Sequence, residues 1–189
     1  MGPLEFQLRQ LVKLMREVKT DYAVLGGVAV SIYGEPRLTF DIDVNLLLNN
    51  DKIDDFLKRS KKLGFSPLPS NIKQFIKTTG VIPMKFSKNK ITGKCDFIIA
   101  QNILEYLCIE RAHLKKINSI KIKVVSPEDL LLHKITSQRP YDLEDAKKIL
   151  IRQGKRLDMK YINYWLKKIA DVNQKPELLE LLKGLLSKK

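Results

Sequence analysis

The stretch Leu25 to Asp43, LGGVAVSIYGEPRLTFDID, constrains the chain more than any other, because it sets a glycine pair and two carboxylates at a fixed interval. Tyr22-Ala-Val-Leu25 is a short apolar run ending on Gly26-Gly27, and Val28 to Tyr33 then reads as one or two helical turns stopped at Gly34. The pattern is strand, glycine turn, helix start. Without side chains, two glycines let backbone N–H groups at a helix start approach an anion closely, and the helix dipole favours the charge of a phosphate there. Asp41 and Asp43 stand at i and i+2 in Thr39-Phe-Asp-Ile-Asp-Val-Asn45. On a strand they share one face, about 7 Å apart at Cα, while Ile42 and Val44 point the other way into a core. Carboxylates beside a phosphate cradle suit Mg²⁺, which takes oxygen ligands and substrate phosphates.

Leu25-Gly26-Gly27 and Asp41-Ile42-Asp43, with thirteen residues between them, resemble the signature of the nucleotidyltransferase superfamily with the DNA polymerase β fold. That signature is an apolar residue, Gly, Gly or Ser, roughly nine to thirteen residues, then Asp-x-Asp or Asp-x-Glu. The superfamily also uses a third carboxylate on a later strand, a role that Asp96 in Lys94-Cys-Asp-Phe-Ile-Ile-Ala100 is placed to fill. Ser126-Pro-Glu-Asp-Leu-Leu-Leu-His-Lys-Ile135 and Arg139-Pro-Tyr-Asp-Leu-Glu-Asp145 look like the second block of one branch, the AbiEii-type and MenA-type toxin nucleotidyltransferases. The resemblance covers about residues 20 to 150. It implies an α/β (α+β) fold of the polymerase β type, a mixed sheet flanked by helices. The expected division is a nucleotidyltransferase core over 1–140 and a helical C-terminal extension over 141–189, packed on the core.

The same resemblance implies roles. Gly26 and Gly27 cradle the triphosphate of an NTP such as ATP, and Asp41, Asp43 and Asp96 hold Mg²⁺ or Mn²⁺, with Asp96 also drawing the proton from the attacking hydroxyl. Arg37 and Thr39 flank the loop that faces the triphosphate in similar enzymes; Arg37 either clamps phosphate oxygens or caps the turn after Pro36. Members with Ser at the position of Gly27 gain a hydroxyl there, which in this chain must come from elsewhere, with Ser31 as a candidate. Lys134 reaches the nucleotide phosphates by analogy with the toxin branch, or is a surface lysine. Asp142 and Asp145 match a recurrent Asp-x-x-Asp of that branch, although acids in a first helical turn are also what the helix dipole favours. The branch often has Lys just before the first Asp, where this chain has Tyr141.

Charge narrows the acceptor. Lys and Arg number 35 against 21 Asp and Glu, a formal net charge of +14, and such a field attracts polyanions. From Lys52 to Lys94 eleven basic residues face only Asp54 and Asp55. Lys58, Arg59, Lys61, Lys62, Lys85, Lys88 and Lys90 therefore form a candidate nucleic-acid patch, between the second and third carboxylates, that suits the 3′ end of an RNA such as tRNA. The plain alternative is a solvated lysine-rich surface. The toxin resemblance implies an antitoxin protein as a further partner. Transfer to a protein side chain or to an aminoglycoside-like small molecule needs no basic track, and a non-catalytic binding module is the reading from another class.

Cys95 and Cys108 show neither metal-ligand nor disulfide spacing. No apolar run matches a bilayer span or a signal-peptide core, so no membrane partner is expected and the cytoplasm is the expected compartment. Along the chain, Pro3 to Lys19 reads as an amphipathic helix, Ile53 to Leu63 as a second, and Phe65 to Thr79 as a loop with a short element near Ile72 to Ile76. Val81 to Phe86 and Cys95 to Ala100 read as hairpin strands, Asn102 to Arg111 as a helix, Ile120 to Val125 as a strand, and Pro127 to Thr136 as a helix opened by Ser126. Three more helices follow, Asp142 to Gln153, Met159 to Val172 and Pro176 to Leu186.

Overall fold

The structure is a computed structural model that describes residues 2–36, 39 and 41–187. The chain falls into two compact units, Met1–Val28 with Leu38–Val125, and Ala29–Arg37 with Ser126–Lys189. The helix that opens at Pro127 packs with the helices after it and belongs to the second unit.

The first unit holds helix α1 (Pro3–Val18), strand β1 (Tyr22–Leu25), the start of α2 (Gly26–Tyr33), β2 (Asp41–Leu46), α3 (Ile53–Lys62), β3 (Phe65–Pro67), α4 (Ile72–Thr79), β4 (Val81–Lys88), β5 (Ile91–Ile99), α5 (Ile103–Glu110), β6 (His113–Ile117) and β7 (Ile120–Val124). The strands form one mixed sheet in the order β3-β4-β5-β2-β1-β7-β6. β1 runs antiparallel to β2, whereas β2 with β5 and β1 with β7 are parallel. Pro at the first turn of α1 uses a position whose N–H would be unpaired anyway, and Leu8, Leu11, Val12 and Met15 bury one stripe.

One face of the sheet is closed by aromatic packing. Phe6 of α1 meets Phe86 at 6.1 Å, Phe86 meets Phe65 at 4.9 Å, Phe65 meets Phe97 at 5.9 Å, and Phe97 meets Phe56 of α3 edge-on at 5.1 Å between centroids. Since side chains alternate along a strand, Phe97 facing α3 sends Asp96 to the opposite face. The same alternation buries Ile42, Val44 and Leu46 completely and puts Asp41 and Asp43 on Asp96's face.

Two short strands escape the sequence pattern. β3 contains Pro67, which lacks a backbone donor, and it is accepted because β3 is an edge strand. β6, His113-Leu-Lys-Lys-Ile117, lies at the other edge and is mostly exposed. The β4–β5 hairpin is also tighter than expected. Asn89 and Lys90 both take positive φ, 52° and 63°, which closes the strands in two residues.

The second unit contains the rest of α2, then α6 (Pro127–Ser137), α7 (Pro140–Gln153), α8 (Met159–Asn173) and α9 (Glu177–Ser187). Ser126 caps α6 by accepting from the Asp129 N–H at 3.1 Å, and Asp158 caps α8 by accepting from the Tyr161 N–H at 3.0 Å. Leu130, Leu131, Ile135, Ile149, Leu150, Ile162, Leu166, Leu178 and Leu182 make its core. Gln153 Nε2 donates to the Tyr33 carbonyl at 2.6 Å, and Arg152 donates to the Gly34 carbonyl, which fastens the end of α2 to α7. No helix among the described residues is long and apolar enough to cross a membrane.

Candidate active site

The carboxylates are brought together by strand register. In the parallel β2–β5 pair Asp43 stands opposite Asp96 and Asp41 opposite Lys94. Burial first, and then the charge of Asp41, push the Asp96 carboxyl above the usual carboxylate range, with Lys94 opposing. Mutual repulsion of this kind is what a divalent cation relieves, and an all-oxygen donor set fits Mg²⁺ or Mn²⁺. Among the described residues, however, no three His, Cys, Asp or Glu side chains are gathered closely enough to hold a metal by themselves. The expected triad is therefore an open arrangement, for a reason visible at Asp43.

Asp43 pairs across β1 with Leu25, the residue before the glycines. Its carboxylate lies over Gly26, so a methyl group built on Gly26 would overlap it, and Gly26 itself takes φ +62°. A side chain at Gly26 is thus excluded twice, by space and by backbone conformation. Helix α2 begins at the glycine pair itself, and the Asp43 carboxylate rests at the helix N-terminus, where the dipole favours a negative charge.

Gly27 faces Thr39. A Cβ at Gly27 would stand 2.6 Å from Thr39 Oγ1 and 2.9 Å from its Cβ, and Thr39 Oγ1 donates to the Asp41 carbonyl at 3.1 Å. Thr39 thus brings a hydroxyl against Gly27, while Ser31 lies half-buried one turn further along α2. The expectation for Arg37 lies outside the described residues.

The basic patch divides between the two faces of the sheet. Lys58, Arg59, Lys61 and Lys62 ride on α3, which packs through Phe56 on the face opposite the carboxylates. Arg59 is paired with Asp55 at 2.6 Å, and Lys88 Nζ donates to Gln10 and to the Lys62 carbonyl on that same side. Lys90 sits in the β-turn. Only Lys85 of the named set shares the carboxylates' face: Ser66, Lys85, Lys94 and Asp41 stand in one row across β3, β4, β5 and β2. The α3 lysines lie on the other layer because α3 is the crossover from β2 to β3, which runs parallel to it, and this crossover packs on the Phe97 face. Lys94 was not singled out, because only its register with Asp41 distinguishes it.

Lys134, Asp142 and Asp145 converge within the second unit. Lys134 is 8% exposed and its ammonium pairs with Asp142 and, at 3.0 Å, with Asp145. Burial works to raise the Asp142 carboxyl, but hydrogen bonds from Lys134 and Ser137 and the charges of Lys134 and Arg139 outweigh it and hold the group below its usual range. On the first turn of α6 Asp129, wholly buried, accepts from Ser126 Oγ at 2.5 Å and from Tyr161 OH at 2.6 Å. Tyr161, half-buried on α8, thus packs its ring while its hydroxyl takes a polar task.

Asn45 carries the remaining signal. It is fully buried on β2, and neither its Nδ2 nor its Oδ1 has a hydrogen-bond partner among the described residues. Such burial costs about 1–3 kcal/mol. An Asn two places after Asp-x-Asp is visible in the sequence, but its burial is not. Cys95 and Cys108 are buried and in no disulfide, and burial, followed by the charges of Asp43 and Asp96, keeps the Cys95 thiol well above its usual range and so unreactive.

An antigenic nucleotidyltransferase-like protein from Paracoccidioides brasiliensis superposes with a TM-score of 0.57 at 18% identity, over 94% of this chain and 91% of that one. The solution structure of the antibiotic-resistance factor ANT(2″)-Ia gives 0.59 at 11% identity, over 92% and 97%. The same enzyme in complex with adenylyl-2″-tobramycin gives 0.53 at 10% identity, over 98% of each. At these identities the likeness is one of fold, and that fold is the nucleotidyltransferase one. The profile of a family described as a nucleotidyl transferase of unknown function (DUF2204) matches residues 6–183, and the chain belongs to that family. No curated protein matches it in sequence.

Proposed function

We propose that the protein is a metal-dependent nucleotidyltransferase that moves a nucleoside monophosphate from an NTP to an acceptor hydroxyl. The observation that carries this is the register that sets Asp43 opposite Asp96, on the face shared with Asp41 and beside the Gly26-Gly27 helix start. Asp41, Asp43 and Asp96 would hold Mg²⁺ or Mn²⁺, which when bound neutralises phosphate charge and sharpens the acceptor as a nucleophile. Gly26 and Gly27 leave room for the triphosphate, and Thr39 offers a hydroxyl next to it. Asp96, whose raised carboxyl affinity for protons suits a base, takes the proton as the acceptor oxygen bonds to the α-phosphorus. The bond from that phosphorus to the pyrophosphate oxygen breaks, and pyrophosphate leaves. Lys134 is assigned to the nucleotide by resemblance; its pairs with Asp142 and Asp145 support a role in joining α6 to α7.

The acceptor we favour is an RNA 3′ end such as that of tRNA, supported by the net charge of +14 and by Lys94 and Lys85 in line with Asp41 on the carboxylate face. The toxin role and the antitoxin partner rest on the sequence resemblance alone. A small aminoglycoside-like acceptor is the second reading, supported by the likeness in fold to ANT(2″)-Ia. Incubation with each α-labelled NTP, Mg²⁺, total RNA and cell protein, with Asp41→Ala alongside, separates them. Label entering RNA with wild type only is the expected result. Label entering protein, or an aminoglycoside added in place of RNA, overturns the RNA acceptor, and equal labelling by Asp41→Ala overturns catalysis by this site.

A further inference from the structure

Asn45 is the one residue on the carboxylate face of β2 that the reading above leaves without work. Asp41, Asp43 and Asn45 alternate on that face while Ile42, Val44 and Leu46 fill the other. Across the strands Asn45 meets Ala23 on β1 and Ile98 on β5. Neither side chain can accept or donate a hydrogen bond, and Ala23 is itself fully buried. An apolar residue would fit this strip of sheet with no penalty, yet the chain keeps a carboxamide whose two polar atoms are both unpaired among the described residues. A buried amide left this way needs an account in terms of something that completes its bonds. Along the same face, one alternation up the strand, the next group is the Asp43 carboxylate.

We propose that Asn45 is the positioning residue for Asp43. Its Nδ2–H donates along the strand face to the Asp43 carboxylate, directly or through one bridging water, when that carboxylate moves off Gly26 to take a cation. The bond orients one carboxylate oxygen so that the other is presented to the metal, and it exists only in the loaded site. This explains why both atoms of the amide are unpaired in a site where Asp43 rests on the glycine. Side chains on a strand lean along its direction, which puts residues at i and i+2 within each other's reach. The proposal rests on the nucleotidyltransferase reading, and it adds a residue that touches neither nucleotide nor metal.

The test is Mn²⁺ binding followed by electron paramagnetic resonance in the presence of a non-hydrolysable ATP analogue, beside the melting temperature of the metal-free protein. Four proteins are compared: wild type, Asp43→Asn, Asn45→Leu and Asn45→Ser. Wild type binds and Asp43→Asn does not, if the site is read correctly. Asn45→Leu is expected to melt at or above the wild-type temperature while its Mn²⁺ affinity falls about tenfold, and Asn45→Ser, which keeps a donor and leaves space for a water, recovers most of it. Wild-type affinity in Asn45→Leu overturns the positioning role while leaving the site intact. Indifference of binding to Asp43→Asn instead overturns the metal site, and the proposal with it. Should Asn45→Leu fail to fold, Asn45→Ala takes its place: a tenfold loss in Asn45→Ala that Asn45→Ser does not share upholds the role, and wild-type affinity in Asn45→Ala overturns it.

Discussion

Gly27 and Thr39 are sterically exclusive partners: the Cβ that any other residue would place at position 27 falls 2.6 Å from the Thr39 hydroxyl. The chain therefore has one hydroxyl at this point of the helix start and no room for two. Gly27→Ser is expected to weaken nucleotide binding at least tenfold and to destabilise the fold by about 1–3 kcal/mol through overpacking. Adding Thr39→Gly, which removes the Thr39 Cβ and hydroxyl that a Cβ at position 27 would meet, should restore much of both. Nucleotide titration and thermal melting of wild type and the two variants measure this; an inactive double variant would show that the threonine acts through its own position.

Asp96 has a pH signature. Its carboxyl binds protons more tightly in the fold than in an unfolded chain, so the fold holds more protons between the ordinary and the raised value. Stability then falls as pH rises through that window and stays lowered above it. In EDTA, Asp96→Asn is expected to melt higher than wild type at pH 7, with the gap closing as the pH drops into the ordinary carboxylate range. The same variant should lose transfer activity by 100-fold or more. A gap that widens in acid would contradict the sign.

Lys134 is predicted to matter first for stability. Lys134→Met leaves Asp142 and Asp145 buried against each other, and loss of one partner of a buried pair costs about 3–5 kcal/mol. Asp142, held below its usual range, contributes stability above the unfolded-state value that is lost as pH falls through the folded one. Asp142→Asn should flatten the acid side of the stability curve, read by melting between neutral pH and pH 3.

The two groups of lysines make opposite predictions. If RNA lies over the carboxylate face, Lys85→Ala with Lys94→Ala reduces RNA labelling and lowers the salt slope of RNA binding by roughly 0.7 for each lysine removed. Replacing Lys58, Lys61 and Lys62 on α3 should change neither. Filter binding across a salt series discriminates them, and a larger effect from α3 would move the acceptor path to the other layer.

The local chemistry of the site was legible in the sequence because it is local: a glycine pair at a strand end, and acids alternating with Ile42, Val44, Cys95 and Phe97, need only a period of two to be placed on a face. The helices from Pro127 onward were equally plain from their periodicity. The part that could not be read depends on partners distant in sequence. Nothing near Lys58 tells that Phe56 will dock on Phe97 and carry the lysines away from Asp96, and nothing near Lys94 tells that it will stand opposite Asp41. Pro67 argues against a strand that only an edge position permits, and nothing in the sequence shows that the Thr39 hydroxyl, as well as that of Ser31, stands near the helix start at Gly27.

The pairing of β2 with β5 has an evolutionary corollary. The loops that join β2, α3, β3 and β4 can change length while the strands still meet as they do, but deletion of one residue between Thr92 and Cys95 would turn Asp96 inward among the phenylalanines and Phe97 out to solvent. A molecule with the acids misaligned would carry a charge in its aromatic core and would not persist as a folded protein. Quality control of the fold thus doubles as proofreading of the candidate site, because a change of length beside Asp96 that misplaces the acid also breaks the aromatic core.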